Sequence, residues 1–506
     1  MIKERNVVIK KPLGKFRVAL VYPSRYSEGM ANLGLHIIYD LLNSIEDIYC
    51  ERFFLGYTRS LETGSEVKDF NLIVFSWQFE LDALNILKFL KECGIPIDRK
   101  ERKEFILVGG PCTVNPVPLE RFIDAFYIGE AEVSILKFIE IFRELESPKE
   151  EVEALSEVGG IYLPEIENRV RRVYLKDLDS FYPVTQIMSE ASVYNEAFLM
   201  EISRGCSRGC RFCMGGYIFR PRRERSPEKL KEILEMGVKF NKPKRIVLLG
   251  ASVTDYSNIH ELSSMISESK VEVSVPSMRV DALTKDFIGA LADTGQRSLT
   301  IAPESCKILR LAMNKPIRDE HIYRAARYTA EAGLKNIKMY FIVGMPGEKE
   351  EHMLEIAGMV KKIKADTGLK IKMSVNPLVP KPHSAMEWAP FVDRKSYSEK
   401  LRLLKKELKG KAEVKSESYR LSSLQTIIAM GDHSIGDVLE RVYMGQNLNS
   451  WKRAFKELGM SFDSYLGERS TDEPLPWDKI DTLVKKDFLI KEYTRYHNLL
   501  GEVSGA

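Results

Sequence analysis

The chain has 506 residues, of which 44% are hydrophobic, and its formal net charge is +4. This length is too great for one ordinary hydrophobic core, so we expect two or three domains. The charge excess is too small to indicate a nucleic-acid-binding protein. The sequence has no apolar stretch of membrane-spanning length and no secretory signal, so it predicts a cytoplasmic protein.

Residues 1–145 alternate between apolar, strand-like segments and segments with helical spacing. The strand-like segments are 16–23, 71–77, 104–111 and 124–130, and the helical ones are 32–45 and 81–94. This order predicts an α/β domain with a doubly wound, Rossmann-like parallel sheet. Ligands of such sheets bind beyond the carboxyl ends of the strands.

The rest of the chain divides into three further parts. Residues 146–190 are charged and irregular, which predicts a linker. Residues 191–390 repeat the strand–helix alternation six times, which predicts a barrel or partial barrel with its chemistry at the carboxyl ends of the strands. Residues 391–506 have a mostly helical pattern and are predicted to form a C-terminal helical domain.

Three of the seven cysteines lie in the segment ISRGCSRGCRFCMGG. Cys206, Cys210 and Cys213 follow a predicted strand with the spacing C-x3-C-x2-C. Three thiolates on one loop can hold three irons of a [4Fe–4S] cluster. No fourth cysteine lies nearby, so one iron keeps an open position. Zinc sites usually take four ligands in paired spacing, so an iron–sulfur cluster is the better prediction.

This cysteine segment resembles the signature of the radical S-adenosylmethionine (SAM) superfamily, with Phe212 in the aromatic position before the third cysteine. The resemblance implies a partial (β/α)6 barrel and anaerobic chemistry. It also implies that SAM binds the open iron through its amino and carboxylate groups. One electron, from a donor such as ferredoxin or flavodoxin, then cleaves SAM to a 5′-deoxyadenosyl radical, which takes a hydrogen from an unactivated carbon.

Later strand ends resemble the SAM-binding positions of this superfamily. Gly250 is what remains of the motif that holds the SAM amino group. Glu304 lies at the fourth strand end, where the family places a polar SAM contact, and Val343 lies in the region beside the adenine. Ser277 and Arg279 end the third strand. For Glu304, Ser277 and Arg279 a role in ion pairs or turns is an open alternative.

The first domain resembles the cobalamin-binding-type domain of a radical SAM subgroup. The matching stretches are LVGGPCTVNP and IDAFYIGEAE, which contain Gly109, Gly110, Gly129 and Glu130. The resemblance implies that the nucleotide tail of cobalamin lies beside the sheet, where Gly109 and Gly110 leave room for it. A domain that binds substrate here, or that has lost the cofactor, remains an alternative.

The usual cobalamin fingerprint is altered in the loop after the first strand. Ser24 and Tyr26 stand where that fingerprint has Asp and His, while Ser76 fits its middle element. Cobalamin would therefore bind without the usual axial histidine. Tyr26, Trp77 and Cys112 are the loop residues expected near the cofactor.

These resemblances together predict a cobalamin-dependent radical SAM methyltransferase, similar to one family with the same three-part layout. Its substrate carbon lies in a protein side chain, a lipid or a small metabolite. One alternative is a radical SAM enzyme without cobalamin, or a methylthiotransferase with a second cluster on Cys50, Cys93 and Cys112. The other is a non-catalytic iron–sulfur electron-transfer protein.

Overall fold

A parallel sheet forms the core of the first part of the chain. The computed structural model describes residues 2–445 and 447–504. The elements of this part are β1 Glu4–Arg5, β2 Phe16–Tyr22, α1 Tyr26–Gly29, α2 Leu33–Asn43, β3 Ile48–Phe54, β4 Leu72–Ser76, α3 Asp82–Glu92, β5 Ile106–Gly109, β6 Ala125–Tyr127, α4 Ile135–Glu144 and β7 Ile161–Tyr162. The strand order is β3-β2-β4-β5-β6-β7, parallel throughout except for the edge strand β7.

Both faces of this sheet are apolar because both are covered. Val18, Leu20 and Leu107 pack with α2 and α4 on one face, whereas Ala19 and Val21 pack with α3 on the other. Alternate residues of a strand point to opposite faces, so strands buried on both sides read as continuous apolar runs. The predicted doubly wound, Rossmann-like α/β architecture is confirmed.

The segment predicted as a linker, 146–190, takes part in three sheets. β7 closes one edge of the first sheet. The next strands are β8 Val170–Arg171 and β9 Met188–Ser189. β8 pairs with Ile480–Asp481 near the C-terminus, and β9 pairs with β1. These pairings attach the segment to the first sheet, to the N-terminal strand β1 and to the C-terminal part of the chain.

A second set of parallel strands follows. Its elements are β10 Ala197–Glu201, β11 Ser203–Arg204, α5 Gly215–Ile218, β12 Arg223–Glu224, α6 Pro227–Asn241, β13 Arg245–Leu249, α7 Ile259–Glu268, β14 Glu272–Ser274, α8 Lys285–Asp293, β15 Ser298–Glu304, α9 Lys307–Ala312, α10 Asp319–Glu331, β16 Asn336–Val343, α11 Glu350–Thr367 and β17 Lys370–Pro377. The sheets β10-β13-β14 and β15-β16-β17 are joined by a parallel bridge between Met278 and Ile301. Alternating strands and helices thus form the predicted partial barrel.

The C-terminal part is mostly helical, with one additional barrel strand. Its elements are α12 Arg394–Glu407, β18 Ala412–Ser416, α13 Tyr419–Ala429, α14 His433–Val442, α15 Leu448–Glu457, β19 Ile480–Asp481 and α16 Lys486–Ser504. β18 pairs in parallel with β17, so the barrel sheet extends past residue 390, into the region predicted to be helical.

The C-terminal helices pack against both the first sheet and the barrel, the two bodies of the structure. Residues of α13, α14 and α15 pack on the face of the first sheet that α3 covers. The Asn115 amide donates to the carbonyls of Ala429 at 2.9 Å and Gly431 at 3.0 Å. α16 lies against α9 of the barrel. No helix among the described residues is long and apolar enough to cross a membrane.

Short 3-10 helices complete the secondary structure. They are Val67–Asp69, Arg99–Glu101, Pro111–Val114, Val117–Leu119, Ala131–Val133, Val152–Glu157, Leu178–Ser180, Val253–Asp255 and Asp463–Leu466. Several of them lie between the strand ends of the first sheet and the barrel, where the candidate site is found.

Candidate active site

The three clustered cysteines lie on a loop that leaves the first barrel strand. β11 and β12 pair with each other and close the base of this loop. Gly205 has φ +82°, and a Cβ there would stand 2.3 Å from the carbonyl oxygen of Phe219. Only glycine fits such a close approach. The loop is therefore held in a tight, defined path that carries Cys206, Cys210 and Cys213.

The cysteine thiols influence one another electrostatically. Burial, together with the neighbouring Cys210 and Cys206, raises the pKa of Cys213 to about 11. Burial also raises the pKa of Cys210, while Lys315 and Arg279 oppose the rise. Binding iron requires the thiolate form, so cluster binding would release protons here.

The described residues contain no group of three or more His, Cys, Asp or Glu side chains placed to hold a single metal ion. A cubane binds each of its cysteines to a different iron. The thiols around it therefore stand farther apart than the ligands of one ion do. The cysteine loop has the donors for a cluster, and a mononuclear site is not formed in the part of the chain that the structure describes.

A buried cation lies next to the cysteine loop. Arg279 Nη1 is 3.9 Å from Cys210 Sγ, and Arg279 Nε is 2.7 Å from Asp281 Oδ1. Arg279 Nη2 is buried and has no hydrogen-bond partner among the described residues. An arginine with unused N–H groups suits a nearby anion, such as a cluster bound by thiolates or a carboxylate of a ligand.

Glu304 lies at the end of β15 in a strained conformation. Its φ is +68°, which is uncommon for a residue with a side chain. The register of β15 on β16 shifts between Ile301 and Glu304. The Glu304 carboxylate is buried and accepts from Lys315 Nζ at 2.7 Å, and that ammonium lies 5.9 Å from the ring centre of Phe212. Strain of this kind concentrates at functional sites.

The other predicted SAM contacts present mainly backbone. Val343 ends β16 with its side chain fully buried in the core. A Cβ on Gly250 would stand 2.8 Å from Ser203 Oγ, so the chain after β13 approaches the cysteine loop closely. Ser277 is exposed, one residue before the bridge that joins the two barrel sheets.

A cavity of about 470 Å³ lies between the carboxyl edge of the first sheet and the barrel. On the sheet side it extends between α2 and α4, where Ile37, Leu42, Leu107 and Ile139 line it. On the barrel side it reaches Glu201, Ser203, Arg204 and Gly250. Six residues predicted from the sequence line it: Ser76, Gly109, Gly110, Gly129, Glu130 and Gly250.

Two residues that were predicted near the cofactor, Tyr26 and Trp77, do not line this cavity. Tyr26 opens α1 and turns toward the N-terminus, where its hydroxyl donates to Glu4 Oε1 at 2.6 Å. Trp77 is buried at 1% exposure, behind the strand ends and against Cys112. The direction of a loop side chain depends on neighbours that are distant in sequence, so the loop positions alone did not reveal this.

Three of the glycines that line the cavity, all on the side of the first sheet, serve different purposes. Gly110 has φ +113°, and an added Cβ would lie 2.4 Å from the Trp77 carbonyl oxygen. Gly129 has φ +139°, and an added Cβ would lie 2.2 Å from the Val173 carbonyl oxygen. These two are required by the backbone itself. Gly109 has an ordinary conformation, and the nearest atom to an added Cβ is Tyr127 Cβ at 3.8 Å. The missing side chain of Gly109 leaves space in the cavity.

Glu130 joins the two bodies at the rim of the cavity. Its buried carboxylate pairs with Arg172 at 2.7 Å, Arg204 at 2.7 Å and Arg223 at 2.9 Å. Burial acts to raise the pKa of Glu130, but Arg223 and the other two arginines outweigh it, so the net shift is downward. The sequence identified Glu130 but not its partners, which come from three separate segments.

Cys50, Cys93 and Cys112 are not placed to share a second cluster. Cys50 packs on the face of the sheet that α2 and α4 cover. Cys112 and Cys93 belong to the hydrophobic cluster on the opposite face. The sheet itself separates Cys50 from the other two, which argues against the methylthiotransferase alternative.

Comparison with known proteins agrees with this layout. Residues 34–164 match the family model of the N-terminal part of radical SAM proteins, and residues 200–360 match that of the radical SAM superfamily. The uncharacterized protein MJ0966 of Methanocaldococcus jannaschii is 34% identical over 456 residues, which are 89% of this chain and 96% of that protein.

Two solved structures share the fold at low sequence identity. One is the radical SAM methyltransferase TsrM of Kitasatospora setae with cobalamin and a [4Fe–4S] cluster bound, with a TM-score of 0.54, 12% identity and coverage of 88% of this chain and 100% of that one. The other is the cobalamin-dependent SAM radical enzyme OxsB with aqua-cobalamin bound, with a TM-score of 0.50, 15% identity and coverage of 97% and 81%. The cysteine loop on a partial barrel and both family matches lead to one conclusion: this chain belongs to the radical SAM superfamily.

Proposed function

We propose that this protein is a cobalamin-dependent radical SAM methyltransferase that methylates an unactivated carbon. The observation that carries the proposal is the cavity between the two bodies. It runs from an apolar slot beside the first sheet to Gly250 and Ser203, next to the cysteine loop. A large cofactor in this cavity would face the cluster and its bound SAM across the domain interface.

The residues of the cluster region fit a [4Fe–4S] cluster with SAM. Cys206, Cys210 and Cys213 would bind three irons. Arg279 would interact with the negative charge beside Cys210, because its Nη1 lies 3.9 Å from Cys210 Sγ and its buried Nη2 has no partner among the described residues. When bound, the cluster supplies the electron that cleaves SAM and cobalamin supplies the methyl group. The strand-end backbone at Gly250 and Val343 would align SAM.

The cavity also fits the proposed corrinoid. The nucleotide tail of cobalamin ends in a planar aromatic base, and the slot between α2 and α4 has apolar walls formed by Ile37, Leu42, Leu107 and Ile139. Gly109 leaves the slot open on its sheet side. The described lining residues include no histidine. We therefore propose that no imidazole from this chain binds the lower face of the cobalt.

The protein would exclude water and hold SAM and cobalamin in a fixed position relative to each other. Apolar side chains form most of the cavity wall, and a dry site strengthens the electrostatic interactions within it. The Glu130 ion pairs with Arg204 and Arg223 connect the first body to the two sides of the cysteine loop. An external one-electron donor such as ferredoxin or flavodoxin would complete the reaction in the cytoplasm.

Cofactor retention by anaerobically reconstituted protein tests the proposal. The protein is incubated with hydroxocobalamin and desalted. We expect the corrinoid absorbance that remains to correspond to about one cobalamin molecule per chain. With SAM and dithionite, 5′-deoxyadenosine should accumulate. A colourless protein after desalting would remove cobalamin from the proposal. Failure to form 5′-deoxyadenosine would favour a non-catalytic iron–sulfur protein. About eight irons per chain, against four for one cubane, would restore the methylthiotransferase alternative.

A further inference from the structure

The inner face of the second half of the barrel is polar. Along β16, Ile337, Met339 and Phe341 are buried in the core, whereas Lys338 and Tyr340 between them are half-buried. Since the buried set packs against the surrounding helices, the alternate set faces the barrel interior. Barrels of parallel strands usually fill this interior with branched apolar side chains. Here it has been left accessible and hydrophilic.

Two lysines stand side by side on this inner face. In the register of the sheet Thr300 lies opposite Lys338, and Lys338 lies opposite Lys372. Like charges in directly opposed positions destabilise a sheet. Lys338 Nζ donates to the Tyr340 hydroxyl at 2.7 Å. Within the part of the chain that the structure describes, neither ammonium has a carboxylate within salt-bridge distance.

The neighbouring charges do not neutralise this pair. Glu413 lies opposite Lys372 on β18, but its carboxylate is paired with Lys415 at 3.2 Å. Lys370 is exposed at the start of β17 and adds positive charge. The inner face of β16, β17 and β18 therefore has a net positive potential.

Lys338 lies opposite Thr300, which lines a cavity of about 480 Å³ near the amino ends of the strands, and Lys372 beside it is exposed. Ser298 and Thr300 of β15 line it, with Tyr194 on another side. Burial raises the pKa of Tyr194, and the nearby Tyr340 contributes to the rise. Arg297 lies at the exposed edge of the cavity. The cavity also contains Arg245 and the Glu272 carboxylate, which pair with each other at 3.2 Å, so Arg297 is its cation without a carboxylate partner among the described residues.

The position of Lys338 on β16 sets the distance between the lysine pair and the carboxyl edge of the barrel. Lys338 precedes Val343 by five residues, and a strand rises about 3.3 Å per residue, so the two are roughly 16 Å apart along the strand. Val343 is at the carboxyl edge, where the cysteine loop and Glu304 lie. A ligand held at the lysines and reacting near the cluster would be elongated, with its charged group far from the reacting carbon.

We infer that Lys338 and Lys372 bind an anionic group of the substrate, a carboxylate or a phosphate, at the end remote from the reacting carbon. The inference rests on the proposed function for the chemistry at the other end of the barrel. Lysine acts as a mobile point charge, so either anion suits the pair. A bound anion would also relieve the repulsion between the two ammonium groups.

Calorimetric titration of the full-length, reconstituted protein at low ionic strength tests the inference. The probes are inorganic pyrophosphate and succinate, which separate phosphate from carboxylate recognition. The variant is Lys338→Gln with Lys372→Gln. Its charge-matched control is Lys395→Gln with Lys405→Gln, on the exposed side of α12. We expect at least one probe to bind the parent and control equally, and to bind the variant about tenfold more weakly per lysine removed.

Two results would overturn the inference. One is that neither probe binds the parent protein, and the other is that the variant and its control bind equally. The second result would also follow if the probe bound at the arginines beside the cysteine loop. SAM and hydroxocobalamin binding are measured on the same samples. If both cofactors bind while the anion titrations fail, this inference falls and the proposed function stands; if the parent binds neither cofactor, the proposed function fails.

Discussion

The neighbouring glycines 109 and 110 allow the cofactor slot to be tested separately from the fold. An added Cβ on Gly109 meets nothing closer than Tyr127 Cβ at 3.8 Å, whereas a Cβ on Gly110 would be 2.4 Å from the Trp77 carbonyl oxygen. Gly109→Leu should therefore fill the slot without disturbing the strand. Gly110→Ala should disturb the backbone without filling the slot.

The expected magnitudes differ for folding and binding. Replacing a strand glycine removes an entropic cost of roughly 0.5–1 kcal/mol, so Gly109→Leu should unfold at or slightly above the parent temperature. The leucine competes with the corrinoid for the same space, and overpacking costs about 1–3 kcal/mol. Corrinoid affinity should then fall about 5- to 150-fold. Gly110→Ala combines backbone strain with a close contact and should lose about 2–6 kcal/mol of stability.

The assay pairs thermal unfolding of the apoprotein with equilibrium dialysis against hydroxocobalamin. SAM binding serves as the internal control, because Gly109 lies on the sheet side of the cavity, away from the cysteine loop. The reasoning is refuted if Gly109→Leu retains parental corrinoid affinity, since the slot then does not hold the nucleotide tail. It is equally refuted if Gly109→Leu unfolds as readily as Gly110→Ala.

Three further predictions concern the cysteine loop, its neighbouring arginine and a buried carboxyl elsewhere in the chain. Cys213→Ala should lose most of the roughly four irons of the cluster, whereas Cys93→Ala should keep them, as measured by iron and sulfide assays. Arg279→Gln should lower the reduction potential of the cluster by tens of millivolts in an EPR-monitored titration, because a cation beside Cys210 stabilises the reduced, more negative state. Glu387 is buried in the loop between β17 and α12, where it accepts from Trp477 Nε1 at 2.9 Å. Burial raises its pKa to about 8, so its contribution to stability is complete below its unfolded value of 4.5 and is lost as pH rises through 8. Thermal unfolding should lose as much as about 4 kcal/mol from pH 5 to 8 on this account, and Glu387→Gln should flatten that dependence.

Local patterns in the sequence predicted the parts of the structure that depend on neighbouring residues. The cysteine spacing identifies its loop because the cluster needs its thiolates on one short segment. The apolar runs of β2, β4 and β5 reveal a sheet covered on both faces, since only full burial tolerates such runs. Glu304 and Arg279 were predicted from their positions at strand ends, where barrels of this type place their chemistry, and their role toward SAM stays a prediction.

Features set by distant contacts were not accessible in this way. β18 has the sequence AEVKS, with partly or fully exposed side chains, so no apolar pattern announces a strand. It forms because the edge of β17 offers unpaired backbone groups. The partners of Glu130 come from three segments, and their convergence depends on how the two bodies meet. Tyr26 and Trp77 were expected at the cofactor, but their side chains follow the packing of the elements behind them.

The two cavity glycines show why a residue type alone does not fix a role. Gly109 and Gly110 are adjacent and both line the cavity, yet Gly110 is needed for its positive φ and Gly109 for the space it leaves. β16 presents the same problem in another form. The buried apolar residues of β16 identify the strand and the face that packs in the core. Lys338 lies on its other face, directly opposite Lys372, and the repulsion between the two ammonium groups opposes folding. Two like charges side by side on an inner face therefore indicate a bound group of opposite charge, which the apolar residues of the same strand cannot reveal.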